Sequence, residues 1–243
     1  MAQEVDQSLL TGEPLQPTKL PAEMSLEQAI KERRSVRGFL PQNVPEATLR
    51  QIFDLAQFAP SNCNIQPWHT YVASGETKNW LRDRMVENVL KGVPFNSDYD
   101  YPDRFSDQYR DRQVDCAVEL YNNMGIERDD KEGRMRASLR NFQMFDAPHV
   151  VFIGMHKAFG ASVAIDVGMY IQNLLLAMTG FGVASCPQGT MRYYPDLVRE
   201  AFNIPEDIRI LLGVSFGFED KSVAANKTRV GRAGIEDSVV FKS

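Results

Sequence analysis

The spacing of hydrophobic and polar positions predicts a mixture of amphipathic helices and short buried strands. Ser25 and Gln28 have the spacing of a capping box, and helical periodicity follows them. The continuous apolar run His149–Gly154 is typical of a buried strand. The same patterns predict helices at about 26–34, 46–58, 77–90, 106–124, 129–143, 161–181 and 195–203, and strands at about 68–72, 149–154, near 185 and 208–216. This order predicts an α+β fold, with helices around a sheet of about four strands.

The predicted helix at 161–181 is apolar nearly all round. Its length raises the question of a membrane span, but Asp166, Gln172 and Asn173 interrupt it. A central core helix, or a helix at a subunit interface, fits this composition better than a span.

Two regions depart from regular patterning. Residues 1–22 are polar and contain three prolines, so we expect an N-terminal extension before a single domain at 23–243. They contain neither the basic segment nor the apolar segment that a signal peptide would have. Residues 91–143 begin with broken, aromatic sequence and then become helical; they suggest either a lid over a site or an ordinary helical subdomain. Five aromatic residues are candidates to line a substrate slot: Phe95, Tyr99, Tyr101, Phe105 and Tyr109.

Composition narrows the class of function. The chain has 243 residues and a net charge of −5, which argues against general nucleic-acid binding. Its three cysteines are widely spaced without a CxxC motif, so a reducing cytoplasm is the expected location.

Several common chemistries find no support in the motifs. The sequence has no GxSxG elbow, Walker A loop or HExxH pattern. His149 and His156 are expected on opposite faces of a strand, His69 is expected to make a core hydrogen bond, and no base is evident for Cys63 as a nucleophile. Gly180–Ser185 nearly matches a dinucleotide fingerprint, but it follows a helix instead of a strand. We therefore expect neither a metal site nor a nucleophilic side chain.

The basic stretch Arg33–Arg37 lies where a short helix should end. Its three arginines and Ser35 offer donors that match phosphate oxygens. Taken alone, the stretch fits cations that offset a helix dipole better than it fits a ligand site.

Further donors on predicted loops favour the ligand interpretation. They are Ser61, Asn62, Asn64, Gln66, Arg140, Gln143, Pro187, Gln188, Gly189, Lys227 and Arg229. Flavin mononucleotide (FMN) presents a terminal phosphate, a polar chain and a ring edge with acceptors. A protein that holds it needs cations at one end and amide-type donors at the other. This inventory suits FMN better than a metal or an acyl-transfer site.

The motifs together resemble the nitroreductase family of FMN enzymes. They are Arg33–Phe39, Ala59–His69, Asp166–Gly189 and Lys227–Arg229, in the family's order. The 91–143 region resembles the branch that reduces nitrobenzoate and other nitroaromatics. The resemblance implies a mostly antiparallel sheet, a long buried central helix and an intertwined homodimer with FMN at the subunit interface.

The resemblance also implies roles for particular residues. Arg33, Ser35 and Arg37 would hold the phosphate and ribityl end with Lys227 and Arg229, whereas Arg34 should face solvent or the partner. Ser61, Asn62 and Asn64 would come from the partner chain. Arg140 and Gln143 would face the pyrimidine edge, and Pro187, Gln188 and Gly189 would lie by the ring. Gln188 stands where many members have Glu, and Gln143 where some have Lys.

The implied activity is reduction of a nitro group to nitroso and hydroxylamine by NADPH or NADH, in two alternating half-reactions through the flavin. Within the same fold, a quinone or enone reductase, a reductive dehalogenase-like enzyme and a flavin-using oxidase remain open. Outside enzymes, a non-catalytic flavin-binding dimer and a helical interaction module remain alternatives. We expect no nucleic-acid or membrane partner.

Overall fold

A computed structural model of the chain describes residues 24–102 and 104–243. The predicted extension at 1–22 lies outside them. The helices in this part of the chain are α1 (Leu26–Glu32), α2 (Glu46–Ala56), α3 (Gly75–Leu90), α4 (Asp107–Asn123), α5 (Lys131–Phe142), α6 (Ala161–Gly180) and α7 (Pro195–Phe202). The strands are β1 (His69–Ser74), β2 (His149–His156), β3 (Ala184–Gln188) and β4 (Ile208–Gly217). The α+β prediction is confirmed.

The four strands form one antiparallel sheet in the order β1-β2-β4-β3. Between β2 and β4 the register shifts by one residue, so Ile153 pairs with Leu212 while Gly154 pairs with Ile210. The extra residue makes a β-bulge, and a bulge reverses which face the following side chains point to. A side chain at Gly154 would not fit there, because its Cβ would lie 2.5 Å from the Arg209 carbonyl oxygen.

Each face of the sheet carries its own hydrophobic core. Val151 and Val214 pack with α2 and α6, whereas Phe152 and Ile210 pack with α3 and α7. Adjacent residues of β2 thus serve opposite cores, which explains its unbroken run of apolar residues.

Helix α6 is the long central helix that the pattern predicts. Among the described residues it is the one helix long and apolar enough to cross a membrane, a property that core helices share. Leu174 and Met178 are fully buried in its second half, whereas Ile165 near its start is 65% exposed. The helix is therefore a core element with one uncovered end.

The 91–143 region contains the two helices predicted there, and its first part is tied to the domain. The Tyr194 hydroxyl donates to the Val93 carbonyl over 3.0 Å. Asp98 pairs with Arg199 at 2.6 Å and accepts from the Ile210 amide at 2.7 Å. These contacts fix residues 93–98 against α7 and β4, and the lid function remains a prediction.

One core prediction is wrong. His69 is exposed at the start of β1 instead of making a core hydrogen bond. His149 is the buried histidine: its Nε2 accepts from the Val44 amide at 2.9 Å. Burial lowers the pKa of His149.

Candidate cofactor site

The basic stretch runs beside the start of β3. Ser35 and Ser185 form a parallel bridge, and the Val36 amide donates to the Ser185 carbonyl at 3.0 Å. Because the stretch is extended, successive side chains alternate in direction. Val36 is buried, and all five residues of the stretch, Ser35 and Arg37 among them, line one cavity.

This cavity has a volume of about 640 Å³ and is strongly basic. Six cationic side chains line it, against the two carboxylates of Glu32 and Glu219. The cations are Lys31, Arg33, Arg34, Arg37, Arg229 and Arg232. Lys227, predicted to act with Arg229, is exposed and lies outside this cavity. The excess of cations suits an anionic ligand such as a phosphate.

Arg34 differs from its neighbours in the basic stretch. Its Nη2 donates to both carboxylate oxygens of Glu219 at 2.6 Å, and the pair is largely screened from solvent. The sequence predicts that Arg34 faces solvent or a partner chain. Instead, its guanidinium forms an ion pair within the chain. Arg33 and Arg37 have no such acidic partner among the described residues, so their positive charges are available to a ligand.

Asn226 holds the basic stretch in place, and no sequence pattern predicts this role. Its Oδ1 accepts from the Arg37 amide at 2.6 Å, and its Nδ2 donates to the carbonyls of Gly38 and Asp220 at 2.9 and 2.8 Å. Its own carbonyl accepts from the Arg229 guanidinium at 2.8 Å. A single asparagine between Ala225 and Lys227 gives no sequence signal for bonds to residues almost 190 positions away.

A second cavity, of about 680 Å³, lies between α4, α5 and the 223–225 turn, and Arg37 lines both cavities. Arg140 and Gln143 line the second one, as expected if they share a ligand with the basic stretch. Arg140 also donates to Asp146 at 2.6 Å. Asp146 ends a turn with three left-handed residues, at φ of 56°, 52° and 64°. Such backbone strain is concentrated at functional sites.

Gln188 at the end of β3 turns its side chain inward. Its Oε1 accepts from the Ser215 hydroxyl at 2.5 Å, and its Nε2 donates to the Asn141 carbonyl at 2.9 Å. A carboxylate could accept the first bond but could not donate the second. This explains an amide at a position where the family resemblance implies Glu. Pro187 and Gly189, on either side of it, are less buried.

Cys186, between Ser185 and Pro187 on β3, is a buried thiol. Burial raises its pKa to about 11, against the lowering effect of the nearby Arg37 charge. It therefore stays protonated at neutral pH and is not a nucleophile.

The donor loop at 61–66 lies apart from both cavities. Cys63, Asn64 and Gln66 are left-handed and exposed, and the Asn62 amide donates to Asp166 of α6 at 3.1 Å. Asp166 is buried, so this polar break in the apolar helix anchors the loop. Within one chain, this loop does not line the cavity of the basic stretch. The loop residues concerned are Ser61, Asn62, Asn64 and Gln66.

The five aromatic residues that are candidates to line a substrate slot do not form one continuous surface. Phe95 stacks on Tyr193 with ring centroids 4.3 Å apart, and Tyr101 meets Phe105 edge-on at 5.9 Å. Tyr99 packs against the core on the α6 side of the sheet, and Tyr109 is exposed on α4.

The donors are arranged along β3. A strand rises about 3.3 Å per residue, so Ser185 and Gly189 are about 13 Å apart. Arg33, Ser35 and Arg37 flank the start of this path, and Arg140 and Gln143 line the cavity on the far side of Arg37. The donor set fits a molecule with a phosphate at one end and a flat ring with acceptors at the other. Within the described residues, no group of three or more His, Cys, Asp or Glu side chains could hold a metal ion.

Comparison with known proteins shows what the chain is similar to. A family model described as the Nitroreductase family matches residues 30–218. Nitroreductase NfnB of Mycolicibacterium smegmatis is 38% identical over 220 residues, which cover 88% of this chain and 92% of that protein. A 4-nitrobenzoate reductase of Nocardioides sp. is 34% identical over 231 residues, covering 91% of this chain and 92% of the relative. The crystal structure of the FMN-dependent nitroreductase NfnB from Mycobacterium smegmatis in complex with NADPH superposes with a TM-score of 0.85, at 37% identity, covering 89% of this chain and 97% of that one.

Proposed function

Because the chain belongs to the nitroreductase family, we propose that it is an FMN-dependent oxidoreductase that uses NADPH to reduce nitroaromatic compounds. The observation that carries the proposal is the pair of cavities that meet at Arg37 beside β3. The similarity to an FMN-dependent nitroreductase in complex with NADPH supports the choice of cofactor and reductant. The similarity to a 4-nitrobenzoate reductase supports the choice of substrate.

Residues of this chain would hold FMN at two ends. Arg33, Ser35, Arg37 and Arg229 line the basic cavity and would bind the phosphate and the ribityl chain. When bound, FMN supplies the group that accepts hydride from the nicotinamide and passes electrons to the nitro group. Arg140 lies in the second cavity, where its charge would stabilise negative charge on the pyrimidine edge. Its ion pair with Asp146 moderates that effect.

We infer a homodimer from the apolar residues that this chain leaves uncovered. Leu26 on α1 is 69% exposed and Phe58 after α2 is 67% exposed, as is the start of α6 at Ile165. Val240 and Phe241 near the C-terminus are also exposed. A second copy that covers these residues would bring its 61–66 loop to the cofactor site. We also infer a cytoplasmic location, because Cys63, Cys116 and Cys186 are all free thiols.

Anaerobic kinetics of the purified protein test this function. Protein reconstituted with FMN should show flavin absorbance that NADPH bleaches and a nitroaromatic compound restores. Size-exclusion chromatography with light scattering should give the mass of two chains. A protein that binds FMN but is not reoxidised by any nitro compound, and instead turns over quinones, would contradict the substrate assignment.

A further inference from the structure

One buried cation takes no part in the two cavities. Arg192 ends the short turn Gly189–Arg192 that follows β3, and its side chain is only 9% exposed. Arginines are almost never buried this far unless they are paired. Within residues 24–102 and 104–243, no carboxylate pairs with it, and its buried Nε has no hydrogen-bond partner. The described residues therefore leave the charge of this arginine without an acidic partner.

Two aromatic rings hold the guanidinium. Its central carbon lies 4.4 Å from the centroid of the Tyr101 ring and 5.7 Å from that of Tyr193. Aromatic faces attract the cation, but the N–H groups of a guanidinium point outward in its own plane. The rings thus position Arg192 and leave its hydrogen-bonding capacity unused.

The unused edge lies under the exposed loop at the end of β3. A Cβ on Gly189 would sit 3.4 Å from Arg192 Nη1 and would meet no other residue within 4 Å. Thr190, in the same turn, has a buried hydroxyl that also lacks a partner among the described residues. Arg192 Nη1 therefore lies next to the exposed Gly189, and two buried groups of the same turn, Arg192 Nε and the Thr190 hydroxyl, lack partners among the described residues.

We propose that Arg192 is a specificity-determining residue that binds the carboxylate of an aromatic nitro acid beside Gly189. The proposal rests on the proposed function and on the family resemblance, which implies that Pro187, Gln188 and Gly189 lie by the flavin ring. A guanidinium matches a carboxylate with two parallel charge-assisted hydrogen bonds. A cation without an acidic partner among the described residues would favour an anionic substrate over a neutral one of similar shape.

Paired kinetics of the FMN-loaded enzyme test the assignment. For wild type, Arg192→Gln and Arg192→Lys, kcat/KM is measured with 4-nitrobenzoate and with neutral nitrobenzene. A loss of folded or flavin-loaded enzyme lowers both values by the same factor, so their ratio does not change because of it. Arg192→Gln should lower this ratio about 10- to 100-fold, mainly through KM for the acid, and Arg192→Lys should lower it less.

A matched control removes a charge elsewhere. Arg84 lies on the surface of α3 and pairs with Glu87, so Arg84→Gln should leave the ratio unchanged. An unchanged ratio in Arg192→Gln would overturn the proposal. So would an effect confined to KM for NADPH, because the cation would then serve the nucleotide phosphate.

A binding measurement separates this proposal from the proposed function. Benzoate, which has no nitro group, is titrated into oxidised FMN-loaded enzyme while the flavin absorbance is followed. Wild type should bind benzoate, and Arg192→Gln should bind it at least about 10-fold more weakly. Arg192-dependent binding without any nitro reduction would support the proposal and contradict the proposed function. No binding by wild type would overturn the role of Arg192.

Discussion

The two ends of β3 hold their polar groups in different ways. At the Ser185 end, the basic stretch is fixed by backbone pairing and by Asn226, and Arg33 and Arg37 have no acidic partner among the described residues. At the Gln188 end, a neutral amide satisfies Ser215 and Asn141, and the cation lies beneath the loop at Arg192. We infer that the Ser185 end offers partly exposed cations that suit a bound anion, whereas the cation at the Gln188 end is buried beneath the loop.

Asn226→Ala should have the largest effect, because it removes the link between the basic stretch and the 224–229 turn. The Arg37 amide and the carbonyls of Gly38 and Asp220 would lose their buried partners. We expect the free energy of unfolding to fall by about 3 kcal/mol in urea titrations of the apoprotein. Asn122→Ala, at an exposed position of α4, should cost less than about 0.5 kcal/mol. Equal stability of the two variants would contradict the role of Asn226.

Gln188→Glu tests the other end of β3 with an almost isosteric change. The new carboxylate would face the Asn141 carbonyl, which now accepts from the Gln188 amide at 2.9 Å. We expect a loss of about 2 kcal/mol at neutral pH, since two acceptors would meet in a buried place. The loss should shrink as pH falls, because a protonated Glu can donate this bond. Gln108→Glu on the surface of α4 provides the control, and a loss that does not depend on pH would argue against the inward arrangement.

Arg34→Ala should lower the free energy of unfolding while leaving the dissociation constant of FMN almost unchanged. The substitution leaves Glu219 as an unpaired and largely buried carboxylate, at a cost of about 1–2 kcal/mol. Thermal unfolding of the apoprotein measures this cost. The double variant Arg34→Ala/Glu219→Ala should recover part of it, and a double variant that loses the sum of both single effects would rule out a stabilising pair.

Cys186 should have the smallest effect, and only in alkaline solution. Its pKa is raised from 9.0 to about 11 by burial, so the folded protein holds the thiol proton more tightly than the unfolded chain does. The contribution is fully present below pH 9 and is lost as pH rises toward 11. The difference in free energy of unfolding between wild type and Cys186→Ala should therefore decrease over that range. A difference that stays constant from pH 8 to about 11 would show that the thiol does not titrate as described.

Local patterns predicted the fold well, because its elements follow from short-range rules. The capping box at Ser25 is present, the apolar run at His149 is a central strand and the 161–181 helix is α6. Contacts between distant residues could not be read in this way.

Most of the residues that the sequence did not predict correctly depend on such distant contacts. Asn226 and Asp166 make hydrogen bonds to segments far away in the sequence, and Arg34 forms an ion pair with Glu219. Arg192 gave no signal because its significance lies in the absence of an acidic partner among the described residues. His69 was misjudged because the sequence does not show which end of a strand is covered.

The most direct test of the account is the dissociation constant of FMN for wild type, Arg37→Ala and Arg34→Ala, measured by the change in flavin fluorescence. Arg37 lines both cavities and has no acidic partner among the described residues, whereas Arg34 is occupied by Glu219. We expect Arg37→Ala to weaken FMN binding about 10- to 100-fold and Arg34→Ala to weaken it by less than about 3-fold. Equal losses in the two variants, or wild-type protein that does not bind FMN, would contradict it.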